Sequence, residues 1–213
     1  MLNYKIKILD NFLNEKDFDE LSECAKQLDA NKRVNIYHNE IDQNNNILSS
    51  SISPDLIKRL NKNYLSKAKN ILQELNSEKI KLISHSDFSI IKTNKNVNFP
   101  IHDDTPNKLL SGVIFLYPKK NKGTVFYNKK NGEGKTEIDW KLNRGVFFSR
   151  KERETWHSYG GDGINDRIAL VYNLMTKEDN IKKVCEIEKK NYIFSVLRFK
   201  INPYLNQILG RTI

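Results

Sequence analysis

The chain has 213 residues, 38 % of them hydrophobic, with 36 Lys and Arg against 26 Asp and Glu for a net charge of +10. That length suits one domain with one sizeable core, and that composition excludes a disordered chain. The two cysteines, Cys24 and Cys185, form neither a disulfide framework nor a metal motif, which favours a reducing compartment. No apolar run is long enough to span a membrane, and the N-terminus lacks the apolar core of a secretion signal, so the expected location is cytoplasmic.

Residues 4–9, "YKIKIL", alternate as a strand does. Asn14 can cap a helix over about 15–29, with Phe18, Leu21, Ala25 and Leu28 at helical spacing. "RVNIYHN" reads as a short strand and "NNNILSSSISP" as a polar loop. Ser53-Pro54 opens a second helix over about 54–76, with Leu56, Leu60, Tyr64, Ala68, Ile71 and Leu75 in one stripe. From about residue 80 the period becomes that of strands: "KIKLISHSDFSIIKTN", "LLSGVIFLYP", "GTVFYN", "TEIDWKL", "RGVFFSR" and "RIALVYNLM". Many short strands at this spacing indicate a sandwich, jelly roll or barrel. The expected fold is therefore mainly β, with N-terminal helices packed outside. One domain over 1–213 is expected, divided into an N-terminal strand and helices (1–79), a jelly-roll-like β core (80–176), where chemistry is to be sought, and a C-terminal extension (177–213). In that extension "NYIFSVLRFKINPYLNQIL" is a candidate element for homodimerisation.

The lysines of "PKKNKG", "YNKKNGEGK" and "SRKERE" are scattered over turns and make a solvated surface rather than a nucleic-acid face. The net charge leans towards an anionic substrate. "GEGK" and "GGDG" are turns, not phosphate loops, because neither opens a helix in a βαβ unit. The stretch 119–135 is a candidate lid, and Trp156 and Tyr127 are candidates for the substrate mouth.

"NFPIHDDTPNKLLSGVIFLYP" places His102, Asp103 and Asp104 directly before an apolar strand. In a strand, residues i and i+2 share a face, so His102 and Asp104 can point together while Asp103 points away. Alone, this triplet reads rather as a turn capping its own backbone. Two histidines and one carboxylate, however, are the facial ligand set of non-haem iron oxygenases. Of the other histidines, His157 in "ETWHSYGGDGINDRIALVYN" is followed ten positions later by Arg167 at the head of a strand. An arginine in a β core is costly unless it meets an anion, and its fork matches a carboxylate. His38 and His85 read as surface or hydrogen-bonded core residues.

Taken together, His102, Asp104, His157 and Arg167 resemble the iron- and 2-oxoglutarate-dependent dioxygenase superfamily. "FPIHDD", "KLLSGVIFLYP", "GTVFYN" and "RGVFFSRKERETWHSY" are similar to its small prolyl-4-hydroxylase-like bacterial and phage members. The resemblance covers roughly residues 4–175. It implies a double-stranded β-helix, a cupin-like jelly roll. It implies that His102, Asp104 and His157 bind Fe(II), and that Arg167 holds the distal carboxylate of 2-oxoglutarate as co-substrate, with ascorbate an optional addition. It implies hydroxylation with release of succinate and carbon dioxide; Asp104 argues against halogenation, for which related enzymes carry a small residue there. Two positions depart from the pattern. Phe115 stands where some members have a tyrosine that touches 2-oxoglutarate, and Ala169 where some have a serine. The substrate is expected to be a small molecule, a glycan precursor or a peptide. The competing reading is a non-catalytic or other-metal cupin-like binding module.

Overall fold

The computed structural model describes residues 2–197. Its strands are β1 (Ile6–Leu9), β2 (Val34–Tyr37), β3 (Glu40–Asp42), β4 (Ile47–Ser49), β5 (His85–Thr93), β6 (Asn98–His102), β7 (Lys108–Tyr117), β8 (Thr124–Tyr127), β9 (Thr136–Ile138), β10 (Gly145–Ser149), β11 (Trp156–Gly160) and β12 (Arg167–Met175). Its α-helices are α1 (Glu15–Gln27), α2 (Pro54–Asn76) and α3 (Ile181–Glu188). The strands make two antiparallel sheets. An eight-stranded sheet runs β1-β10-β7-β12-β5-β3-β4, with β2 also on β5, and a four-stranded sheet runs β6-β11-β8-β9. The sheets face one another as a double-stranded β-helix: Phe148 of the large sheet meets Phe126 and His157 of the small one at ring distances of 5.3 and 5.0 Å.

Alternation along the strands decides what lies on each side. Leu110, Ile114, Leu170, Tyr172, Leu174, Phe88 and Ile90 point to the convex face, where they join Leu56, Ile57, Leu60 and Tyr64 of α2 in the main core. Burying each such side chain contributes roughly 1.5–3 kcal/mol. Gly112 lies on this face because a Cβ there would come within 2.4 Å of the Phe147 ring. The opposite, concave face carries residues of the other parity: Ser111, Val113 and Phe115 on β7, Arg167 and Asn173 on β12, Asp87 and Thr93 on β5.

The first helix begins as the sequence predicts, with the Asn14 side chain accepting from the Asp17 amide, and the second spans 54–76. Three stretches differ. The polar run before Pro54 contains a hairpin, β3–β4: Asp42 accepts from the amides of Asn44 and Asn46, and Asn45 supplies the left-handed residue of the turn. Residues 77–82 are a 3-10 helix rather than the start of a strand, so β5 begins only at His85. The stretch 119–135 is not one loop, since β8 runs through it and pairs with both β11 and β9. The turns expected at "GEGK" and "GGDG" are present, with Gly132, Gly134 and Gly163 at positive φ. β1 to β4 extend the large sheet, so the N-terminal third supplies strands as well as helices. Most of the candidate dimerisation element lies outside the described residues. Among those described, no helix is long and apolar enough to cross a membrane.

Candidate metal centre and carboxylate pocket

β6 and β11 pair in antiparallel register with His102 directly opposite His157. Their rings lie 4.2 Å apart. Asp104 enters differently from the sequence expectation. β6 ends at His102, so Asp104 does not share a strand face with it; the chain turns, and the carboxylate comes in from the loop, 3.9 Å from His157 Nε2. One ligand atom from each of the three lies within 4.8 Å of the others. Asp103 points away, as the sequence suggests, and accepts from the Arg153 amide at 2.8 Å.

The protonation pattern suits a divalent ion. His102 Nδ1 lies 2.9 Å from the Pro100 carbonyl and His157 Nδ1 3.1 Å from the Thr155 carbonyl. A carbonyl only accepts, so each Nδ1 carries the proton and each Nε2 keeps a lone pair for a metal. Burial, with His157 close by, pushes His102 down to about 3, which keeps it neutral. Burial acts to raise the Asp104 carboxyl, but Lys108 and the histidines more than reverse this and hold it well below the usual carboxylate range. Lys108 Nζ donates to Asp104 Oδ1 at 2.8 Å and Ser111 Oγ to Oδ2 at 2.6 Å. A carboxylate has about four lone-pair sites, and these two hydrogen bonds leave about two of them for a metal. The backbone of this loop is fastened too: Arg150 Nε donates to the Asp104 carbonyl at 3.1 Å.

Arg167 is 2 % exposed and lies on the concave face at the head of β12. Among the described residues it has no ion pair, and its Nε has no hydrogen-bond partner. Aromatic rings enclose it: the guanidinium carbon is 4.7 Å from the Tyr159 ring, 5.3 Å from Trp140 and 5.6 Å from Phe115. Burial lowers it to about 10, with Tyr159 acting in the other direction. The wall between guanidinium and metal ligands is aromatic. Tyr159 stacks on Phe99 at 4.8 Å, and Phe99 meets His102 edge-on at 4.7 Å.

Two more polar side chains stand by Arg167 and the Tyr159 ring that covers it. Thr93 is its direct cross-strand neighbour on β5, and Thr124 is the neighbour of Tyr159 on β8. Both hydroxyls are buried and have no hydrogen-bond partner of good geometry among the described residues, although the Tyr159 phenol approaches Thr93. A buried cation and two such hydroxyls fit one carboxylate, which accepts from all of them. These threonines and Tyr159 were not singled out from the sequence; only the strand register brings them to Arg167. Thr93 and Tyr159 place hydroxyls beside Arg167, where Phe115 and Ala169 offer none, and Thr124 adds one beside Tyr159.

The remaining candidates fall elsewhere. Trp156 and Tyr127 alternate with His157 and Phe126, so they face away from the metal ligands rather than lining the mouth. His85 bonds Ser84. His38 is exposed and bonds Ser89, yet with Glu40 and Asp87 it forms a second cluster whose ligand atoms lie within 4.8 Å of one another.

No family model matches the sequence, and no curated protein matches it. Solved structures do match the fold. A Pseudomonas putida prolyl-4-hydroxylase superposes with a TM-score of 0.56 at 12 % identity, over 82 % of this chain and 94 % of that one. A 2OG-Fe(II) oxygenase family oxidoreductase from Burkholderia pseudomallei gives 0.56 at 14 %, over 80 % and 84 %. The viral collagen prolyl hydroxylase of Paramecium bursaria chlorella virus 1 gives 0.55 at 14 %, over 83 % and 98 %. The chain has the jelly-roll fold of these oxygenases.

Proposed function

We propose that the chain is an Fe(II)- and 2-oxoglutarate-dependent oxygenase that hydroxylates a small molecule, a glycan precursor or a peptide. One observation carries the reading: a buried, unpaired arginine with an unpartnered Nε lies on the concave face of the large sheet, where Ser111 also bonds the carboxylate of a two-histidine, one-carboxylate cluster whose imidazoles, on the facing sheet, both keep Nε2 free. The iron, when bound with 2-oxoglutarate, supplies the activation of dioxygen that the protein's own side chains cannot. His102, Asp104 and His157 would hold the metal on one side and leave positions open. Arg167, Thr93 and Thr124 would bind the distal carboxylate and so orient the keto acid towards the metal. Phe99, Tyr159, Trp140 and Phe115 exclude water from the path between the two groups, which strengthens each electrostatic contact there. A zinc hydrolase could use the same triad but has no need of Arg167.

The test is 2-oxoglutarate turnover. The purified protein with Fe(II) should release succinate with oxygen uptake, slowly without a substrate and faster with one. No succinate release by a folded protein that holds iron would leave the binding-module reading in its place.

A further inference from the structure

The concave face carries a second polar feature, which the metal and co-substrate sites do not use. Cross-strand register aligns Glu40 of β3 with Asp87 of β5, and Asp87 with Asn173 of β12. The pairings Val171 with Val113 and Leu174 with Leu110 put Asn173 opposite Ser111 of β7, whose hydroxyl bonds the Asp104 carboxylate. A continuous polar row thus crosses four strands and ends at a metal ligand. Neighbouring strands are spaced about 4.8 Å apart, so Asp87 lies roughly 10 Å along the row from Ser111.

The row is built to accept hydrogen bonds. Ser89 donates to Asp87 Oδ1 through its amide at 2.9 Å and its hydroxyl at 2.5 Å, and Asn173 Nδ2 donates to Oδ2 at 2.8 Å. Because the Ser89 hydroxyl proton goes to Asp87, His38 Nδ1 is the donor in its 3.1 Å contact with Ser89. Asn173 is 1 % exposed, and its Oδ1 has no partner among the described residues. The amide that steadies Asp87 therefore presents an unused carbonyl oxygen in the row, next to the Asp87 carboxylate and two strands from Glu40. Glu40 makes no ion pair among the described residues. Lys108 is near enough to feel the Asp87 charge, but its hydrogen bond goes to Asp104. Leaving such acceptors unpaired beside a buried carboxylate is costly unless a donor arrives.

We infer that this row is the substrate's anchoring site and that it takes a protonated amine, so the substrate is an organic cation held with its amine near Glu40, Asp87 and Asn173. The inference rests on the oxygenase reading for the chemistry, but not for the amine. Local charge here runs against the chain's net +10, and it is the local field that a buried group feels. A metal fits the row less well than an amine does: Asp87 already receives three hydrogen bonds and His38 is exposed, whereas an ammonium brings three donors to oxygens that lack them.

Isothermal titration calorimetry decides it. The protein is loaded anaerobically with Mn(II) and 2-oxoglutarate and titrated with lysine, ornithine, arginine and putrescine, and with the uncharged matches norleucine and citrulline. At least one amine should bind tenfold or more tighter than its uncharged match. Glu40→Gln, which keeps shape and removes charge, should erase that preference while Mn(II) and 2-oxoglutarate bind as in wild type, and Glu40→Lys should abolish amine binding. Equal binding of charged and uncharged members, no binding by any of them, or an unaltered preference in Glu40→Gln each overturns the inference. A second equivalent of Mn(II) that Glu40→Gln removes also overturns it and makes the cluster a metal site. If the protein binds neither Mn(II) nor 2-oxoglutarate, the oxygenase reading fails, and the same titrations on the unloaded protein still judge the amine site.

Discussion

Two arginines are almost equally buried in this molecule, and their surroundings are opposite. Arg150 is 1 % exposed and fully engaged: Nη1 meets Glu188 at 2.6 Å, and Nε donates to the Asp104 carbonyl. Glu188 in turn pairs with Lys79 at 2.7 Å, and Lys79 also donates to the Arg150 carbonyl. Arg167, 2 % exposed, has aromatic faces around its guanidinium, no ion pair among the described residues and an unpartnered Nε. The difference separates structural from functional buried charge. A closed network holds the fold, here fastening α3 to the loop that carries Asp104. An open one is offset by something that binds. The first residues of the C-terminal extension are thereby tied to the candidate metal centre, since Glu188 secures the arginine that secures the backbone of Asp104.

The sharpest break in this contrast comes from removing one member of the closed network. Glu188→Ala should cost about 3–5 kcal/mol, because it strands two buried cations. A urea melt measures it, and a loss under about 1 kcal/mol would mean that the network is not closed as described. Arg167→Met should do the reverse: stability unchanged or raised, since an unpaired buried charge is gone, while 2-oxoglutarate affinity falls about a hundredfold, roughly 2.7 kcal/mol. If stability falls as it does in Glu188→Ala, Arg167 is structural and the distinction between the two arginines is lost.

Acid should report on the metal centre in the same way. His102 titrates at about 3 in the fold against 6.5 in the open chain, so the unfolded state binds the extra proton between those values. Its contribution to the metal-free protein is complete above about 6.5 and is lost as pH falls towards 3; Asp104, also held low, adds loss in the same direction below its ordinary range. His102→Gln should flatten the slope of stability against pH between about 4 and 6.5, and an unchanged slope would contradict the buried, neutral imidazole. The smallest effect is expected at Asp103→Ala. It removes the acceptor of one backbone amide, about 1 kcal/mol, and should leave metal affinity intact.

Much of this was legible in the residues. The Asn14 cap, the span of α2 and the strand character after residue 80 could be read from local chemistry and period, and the grouping of His102, Asp104 and His157 from their resemblance to a known ligand set. What escaped depends on register, which sequence period does not carry. Thr93 and Thr124 are ordinary strand threonines until pairing sets one beside Arg167 and the other beside Tyr159. Glu40, Asp87 and Asn173 are distant in the chain and form a row only across three strands. The β3–β4 hairpin was hidden by its own turn chemistry, since an asparagine-rich run looks like loop whether or not its flanks pair. Asp104 reached the cluster by a route other than the expected one, from a loop rather than from a strand face.

Anaerobic titration of the purified protein with Fe(II) and 2-oxoglutarate tests the central claim most directly, because the chelate has a visible charge-transfer band. The band should form at one equivalent of iron in wild type, vanish in His157→Ala, and need far more 2-oxoglutarate in Arg167→Met. A folded wild-type protein that gives no band, or a His157→Ala variant that keeps it, would contradict the proposed metal centre.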